Sequence, residues 1–379
     1  MDNTALQSAD VGLIPKIGQA LWSWETRQGG ASVTAERCKR LHRYFQFYTA
    51  AVSTYLEASP NPAARSLLFH EDLFRAISTL RSNPAFTKKE YCQAQFPPTS
   101  ELDFSNAAAL VVRVFVMIES GVLHSSSNRL EKGSFRIHWK DDVAFNQYLQ
   151  HLFPQENHAV LSHADNELFL TMKSSLRANK LKKHLRVSFR ATHDIRNHLC
   201  FDRQANVIDI YHHIAFIKEQ LRTTQEGGDF RTPTLSIEAG SLPRQLLLEV
   251  LDSIQGVLFP LSDPKCKQIL QSLITSCSFD PDIVNFEYGS IRRPGEENIS
   301  YIYLADRLSD LYSEICNPQP RGWLERRIER KSGARYMMLA TLIGVSFAIF
   351  LGMVSLAVSS YQTWIAYQAW QHPVVIAPV

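Results

Sequence analysis

Residues 337–358 read MMLATLIGVSFAIFLGMVSLAV, 22 positions with no charged side chain and only Thr341, Ser346 and Ser355 carrying hydroxyls. Coiled as a helix at about 1.5 Å per residue, the stretch spans about 33 Å and matches a hydrocarbon core about 30 Å thick. A core helix of a soluble domain would show a polar face over that length. The stretch therefore predicts one transmembrane helix behind a soluble region of roughly 335 residues.

The flanks predict its orientation. Residues 321–335 hold six basic side chains (Arg321, Arg326, Arg327, Arg330, Lys331, Arg335) against Glu325 and Glu329, whereas 336–379 hold no Asp, Glu, Lys or Arg. An excess of Lys and Arg marks the cytoplasmic side, so the large N-terminal region is expected in the cytosol. Tyr361, Trp364, Tyr367 and Trp370 are spaced for an aromatic belt at the opposite interface. Arg326, Arg327, Arg330, Lys331 and Arg335 are expected to contact anionic lipid headgroups, at up to about 1 kcal/mol per charge. Ala340, Gly344, Ala348 and Gly352 recur every fourth residue. Such a stripe of small side chains allows a second helix close approach, as in a homodimer. The late position of the segment predicts post-translational insertion as a tail anchor, into the endoplasmic reticulum or a downstream membrane.

Working back along the chain, the soluble region is expected to be mainly α-helical with a small β-hairpin element. Residues 1–35 lack clear periodicity and read as loosely ordered. A helical domain with the β element is expected over 36–222, a linker over 223–240 and a helical subdomain over 241–316. A basic juxtamembrane segment (317–335), the transmembrane helix (336–360) and a short non-cytosolic tail (361–379) complete the order. Leu41, Tyr44, Phe45, Tyr48, Val52, Tyr55 and Leu56 fall on one helical face. SPNP at 59–62 ends that helix, and a second follows near 67–77. A strongly apolar helix is expected from Asn106 to Leu123 with Ser105 as its cap, then helices near 143–153 and 162–180. Arg186–Phe189 reads as a strand. Leu199–Asp202 and Val207–Tyr211, joined by Arg203–Asn206, read as a hairpin. Helices are expected over 213–221, from Ser241 and Pro243 onward, over 265–277 and near 301–315.

Composition narrows the function classes. A net charge of +3 over 379 residues makes nucleic acid an unexpected partner. Six cysteines without a C-x-x-C pair suit reduced thiols in a cytosolic domain. The first 18 residues carry neither a basic n-region nor an apolar h-region, so no signal peptide is read there.

The densest polar cluster is His193, Asp194 and His198, continuing to Asp209, His212 and His213. Imidazole and carboxylate together suit zinc, iron or manganese, which makes these six residues the candidate metal ligands. Capping, turn and hairpin hydrogen bonds account for the same residue types. No cofactor is expected beyond a divalent metal at this cluster. Lys173, Arg177, Lys180, Lys182, Lys183, Arg186 and Arg190 form an acid-free basic run, suited to steering toward anionic lipid or to ending a helix. Asp280-Pro-Asp282 is a lone D-x-D, equally ordinary as a turn. The sequence contains no G-x-S-x-G, G-x-G-x-x-G or Walker loop, which leaves the usual nucleophile elbow and phosphate cradles unsupported.

Three stretches carry a resemblance: HDIRNHLCFD with IYHHIAFIKEQLR at 193–222, LPRQLLLEVLDSIQGVLFPLSD at 242–263, and PRGWLERRIERKSGARYMMLATLIGVSFAIFLG at 320–352. Across roughly residues 185–372 they resemble an uncharacterised fungal family of C-terminally membrane-anchored proteins. The resemblance implies the anchor and a coherent C-terminal half; it implies no activity. With familiar enzyme motifs missing, the leading expectation is a membrane-tethered cytosolic interaction or signalling module. It would associate with the lipid bilayer and a protein partner. The alternatives are a membrane-anchored metal-dependent hydrolase using the 193–213 cluster and an accessory subunit of a channel or transporter.

Overall fold

The computed structural model describes residues 5–6, 12–24, 31–96, 101–120, 138–162, 167–224, 241–276, 279–317 and 335–371. The chain divides into two compact units, a head over 1–317 and a second unit over 318–379. As expected, the fold is mainly helical with a small sheet and one long apolar helix near the C-terminus.

The head begins with α1 (Leu13–Trp22), α2 (Ala31–Arg40), α3 (His42–Ala58), α4 (His70–Ser82), α5 (Lys88–Gln95) and α6 (Glu101–Val116). The stripe foreseen here is buried from Leu41, the N-cap of α3, through Tyr55, with Phe47 and Ala51 added to it, while Leu56 is half-buried. The Tyr44 hydroxyl on that stripe donates to the Val114 carbonyl at 2.6 Å, tying α3 to the end of α6. From Ala107 to Ile118, Ala108, Leu110, Val111, Val112, Val114, Phe115, Val116 and Met117 are all buried, which makes α6 the core helix. Its start differs from expectation. The helix opens at Glu101, so Ser105 lies inside it rather than capping it and accepts a hydrogen bond from Lys88 Nζ at 3.1 Å. It ends at Val116 because Met117 takes a left-handed φ of 55°; residues 121–123 lie outside the described residues.

The second half of the head contains α7 (Phe145–Leu152), α8 (Glu167–Ser175) and α9 (Ala178–Leu185), then β1 (Ser188–Thr192), β2 (Phe201–Asp202), β3 (Val207–Tyr211) and α10 (Ile214–Thr223). The single helix expected over 162–180 is two helices, broken where Arg177 turns extended ahead of α9. The strand expected from Arg186 begins at Ser188, because Arg186 closes α9 in a left-handed conformation at φ 54°. The hairpin is present: β2 pairs antiparallel with β3, Phe201 facing Ile208. Its turn follows from side-chain chemistry. Asp202 Oδ1 accepts the N–H groups of Gln204 and Ala205, and Asn206 takes the left-handed conformation that Asn tolerates. Unforeseen is the partner on the other edge. β1 runs parallel to β3, from Ser188 opposite Val207 to Thr192 opposite Tyr211, giving a sheet of order β1-β3-β2.

Beyond the 225–240 stretch, which lies outside the described residues, come α11 (Arg244–Asp252), α12 (Pro264–Ser276) and α13 (Ala305–Cys316). α11 widens into π turns at Ser253–Leu258 and packs against α10. The two sides of the expected linker thus share one core, within a single unit that reaches residue 317.

In the second unit, α14 (Arg335–Gln371) has 37 residues, about 55 Å at helical rise. Its portion from Thr341 to Gln371 reaches a mean hydropathy of 2.3 with none of that window buried, so it is long and apolar enough to cross a membrane. The helix continues past residue 360 and takes in Tyr361, Trp364, Tyr367 and Trp370. Gly344 and Gly352 meet nothing within 4 Å of where a Cβ would sit, and Ala348 is exposed, so that face of the helix is open. Ala340 belongs to the helix, but its side chain lies outside the described residues. So does the side chain of Arg335, and Arg326, Arg327, Arg330 and Lys331 lie outside them entirely.

Candidate metal centre

The parallel pairing of β1 with β3 builds the site. Thr192 and Tyr211 are the last paired residues, so His193 and His212 leave adjacent strand ends side by side. The carboxyl ends of parallel strands are where open sheets place ligands. His213 follows at the N-cap of α10. The three rings converge: His193 Nδ1 stands 2.7 Å from His213 Nε2 and 3.3 Å from His212 Nε2. One nitrogen from each ring lies within 4.8 Å of the other two.

Phe47 of α3 packs over this group, with centroids 5.4 Å from the His193 ring and 5.5 Å from the His213 ring. Phe279 lies against His212 at 5.7 Å. His212 and His213 are 3% and 1% exposed, whereas His193 is open to solvent. Burial pushes His212 down to about 3, helped by His193 and the Arg43 guanidinium. Burial likewise holds His213 well below its ordinary 6.5, with His212, His193 and Arg43 acting in the same direction. Burial and Arg113 lower His193 too, while Glu119 opposes them. All three rings are therefore neutral bases near pH 7, the form that ligates metal.

The donor set fits a first-row divalent ion. Zinc–imidazole bonds of about 2.0–2.1 Å at tetrahedral angles put the nitrogens about 3.3 Å apart. The His193–His212 pair already has that spacing, and the His193–His213 pair opens by roughly half an ångström to reach it. The outer faces of the rings are less usual. Ligating histidines generally rest their second nitrogen on a carboxylate or carbonyl. Here His212 Nδ1 and His213 Nδ1 are buried with no hydrogen-bond partner among the described residues. Packing against Phe47, Phe279 and Tyr211 holds the rings instead.

The other three expected ligands point elsewhere. Asp194 is gripped by Arg196 through Nε at 3.0 Å and accepts the Glu119 N–H at 3.2 Å. It fixes the loop after β1 to the end of α6 and so positions His193 without approaching the imidazole nitrogens as a ligand. Asp209 faces Arg190 across the sheet in a two-bond ion pair at 2.6 and 2.9 Å. His198 is buried, with Nε2 2.7 Å from Ser253 Oγ and Nδ1 accepting the Tyr211 N–H at 3.1 Å. The D-x-D residues are also structural. Asp280 accepts the Ala215 N–H at 3.0 Å and pins the first turn of α10 just after His213, while Asp282 pairs with buried Lys218. In the basic run, Lys173, Arg177 and Arg190 are paired with Asp252, Asp263 and Asp209, which leaves a smaller patch. Cys38, Cys92, Cys200, Cys266 and Cys316 are free thiols. Arg43, Phe47, Arg113 and Phe279 were not foreseen, since each reaches the site from a distant part of the chain.

His198 gives the head a measurable acid sensitivity. Burial, with Arg307 assisting, pushes it down to about 3 from the ordinary 6.5. Between those values the unfolded chain binds a proton that the folded chain refuses, so stability is full above pH 6.5 and falls as pH drops. From pH 6.5 to 5 the loss is about 2 kcal/mol. Glu249 and Asp280 act in the opposite sense, since burial raises them to about 7 and about 6. The expected result is therefore a difference in slope: denaturant titrations of the head at pH 5, 6 and 7 should show weaker acid destabilisation in His198→Gln than in the wild type. Parallel slopes would contradict the assignment.

Comparison of the chain with protein-family models, with curated proteins and with solved structures finds no match, so the resemblance of residues 185–372 stands on the quoted residues alone.

Proposed function

We propose that the protein is a membrane-tethered, metal-dependent hydrolase whose cytosolic head holds one divalent transition-metal ion between His193 Nδ1, His212 Nε2 and His213 Nε2. The observation that carries this reading is the convergence of three neutral imidazoles at the ends of two parallel strands, with only His193 opening to solvent. Three protein nitrogens leave a fourth position for water, and zinc in such a set lowers the pKa of bound water to about 7. The helix Thr341–Gln371 supports the tether, and the basic residues before it support a cytosolic head.

The full-length protein, purified in mild detergent after metal-replete expression, is expected to carry one equivalent of transition metal by elemental analysis. His193→Ala combined with His213→Ala should lower this at least tenfold. Metal-free wild type from such a preparation would end the reading.

A second reading, a tethered interaction module, is favoured by Val284, Phe286 and Tyr288. These alternate along one segment and are 42%, 42% and 54% exposed. A metal-free head that co-purifies with a stoichiometric protein partner would favour it over the hydrolase.

A further inference from the structure

The charge around the three histidines is unbalanced. Imidazoles are neutral donors, so a divalent ion held by them keeps its full charge unless a carboxylate joins the set. Three aspartates lie nearby: Asp194 is committed to Arg196, Asp209 to Arg190, and Asp280 to the Ala215 and Asp282 N–H groups. Two arginines add to the excess. Arg113 holds its guanidinium 5.7 Å from the Phe47 ring centre, and that ring lies 5.4 Å from His193. Arg43 sits on α3 one turn before Phe47, the ring that packs on His193 and His213, and donates to Gln46 Oε1 at 2.9 Å. Against these charges stand Glu119, which pairs with Arg113 at 3.8 Å, and Asp280, which accepts the Ala215 N–H two residues past His213. A dication held by these rings, open to solvent through His193 and with two guanidiniums on neighbouring helices, would favour an oxygen dianion in its open position.

We infer that the metal-loaded centre binds a phosphoryl dianion, free or as a phosphomonoester, with one oxygen on the metal and the remaining charge facing Arg43 and Arg113. This rests on the metal reading above and names the ligand class of that same site. The dianion has two sources within reach of a tethered head: a soluble phosphomonoester or a lipid whose headgroup is one.

The test uses full-length protein loaded with Co2+, whose visible absorption reports its ligands. Loading should produce the intense visible bands of a four-coordinate site, and inorganic phosphate should shift them saturably at constant ionic strength. Arg43→Gln and Arg113→Gln should still take up Co2+, which shows that each is folded, and should weaken phosphate binding at least tenfold. Failure to develop a cobalt spectrum would overturn the metal reading itself. A cobalt spectrum that phosphate leaves unchanged, or phosphate affinity indifferent to both arginines, would overturn the anion assignment and leave the metal intact. In vesicles, the same spectral shift with phosphatidic acid but not with phosphatidylcholine would assign the lipid source. A shift with soluble phosphomonoester alone would assign the other.

Discussion

Ending the chain at Asn317 is expected to move the protein from the membrane fraction to the soluble fraction almost completely. Residues 337–358 contain 11 Leu, Ile, Phe and Val side chains. Each contributes about 0.3–0.6 kcal/mol toward insertion at a helix centre, roughly 3–7 kcal/mol in sum. That is a hundredfold change in partitioning at the least. The head loses nothing it needs to fold, because residues 1–317 form their own compact unit with their own core. Carbonate-washed membranes should retain the full-length chain, and the truncated one should remain in the supernatant with the strongly helical far-ultraviolet spectrum of a folded head. A truncated head that still pellets with washed membranes would mean that the head itself holds the bilayer.

Replacing Lys218 by Ala is expected to cost the head about 3–5 kcal/mol, a large share of a domain stability of about 5–15 kcal/mol. Lys218 is 1% exposed. Its ammonium donates to Asp282 Oδ2, to the Asp282 carbonyl at 3.0 Å and to the Asn285 carbonyl at 2.6 Å. Truncation leaves the Asp282 carboxylate buried with Arg40 3.9 Å away as its nearest cation, a poor substitute. The double variant Lys218→Met, Asp282→Leu removes both charges and should recover most of the loss, because a well-packed apolar pair often matches a buried ion pair. Denaturant unfolding of the soluble head measures both. Equal destabilisation by the single and double variants would show that shape at this position matters more than charge. The pair also lies close to the candidate site: it ties α10 to the 280–285 segment, and α10 begins directly after His213.

The parts legible in the sequence are those whose signal is local. The apolar run at 337–358 needs no partner to be read, because length and missing charge suffice. The β2–β3 hairpin was readable because Asp202 and Asn206 carry their turn chemistry within the turn. The parallel union of β1 and β3 was hidden. Five residues with two apolar side chains do not name a partner, and the connecting chain includes a short helix and another strand. That hidden pairing decides which residues form the candidate metal centre. Sequence proximity grouped six polar residues, whereas strand register selected His193, His212 and His213. Three others are claimed by groups whose placement the sequence does not display: Asp194 by Arg196, His198 by Ser253, Asp209 by Arg190. The arginines and phenylalanines around the centre come from α3, α6 and the segment before Asp280. Nothing in the spacing of the histidines could have pointed to them.

The claim at the centre of this account is that His193, His212 and His213 share one metal ion. X-ray absorption at the metal edge of the purified, metal-replete full-length protein tests it most directly. The predicted result is three imidazole nitrogens at about 2.0–2.1 Å with one further light-atom ligand, and loss of the imidazole signal in His213→Ala. A shell containing sulfur, or an imidazole shell unchanged in His213→Ala, would place the metal elsewhere and contradict the account.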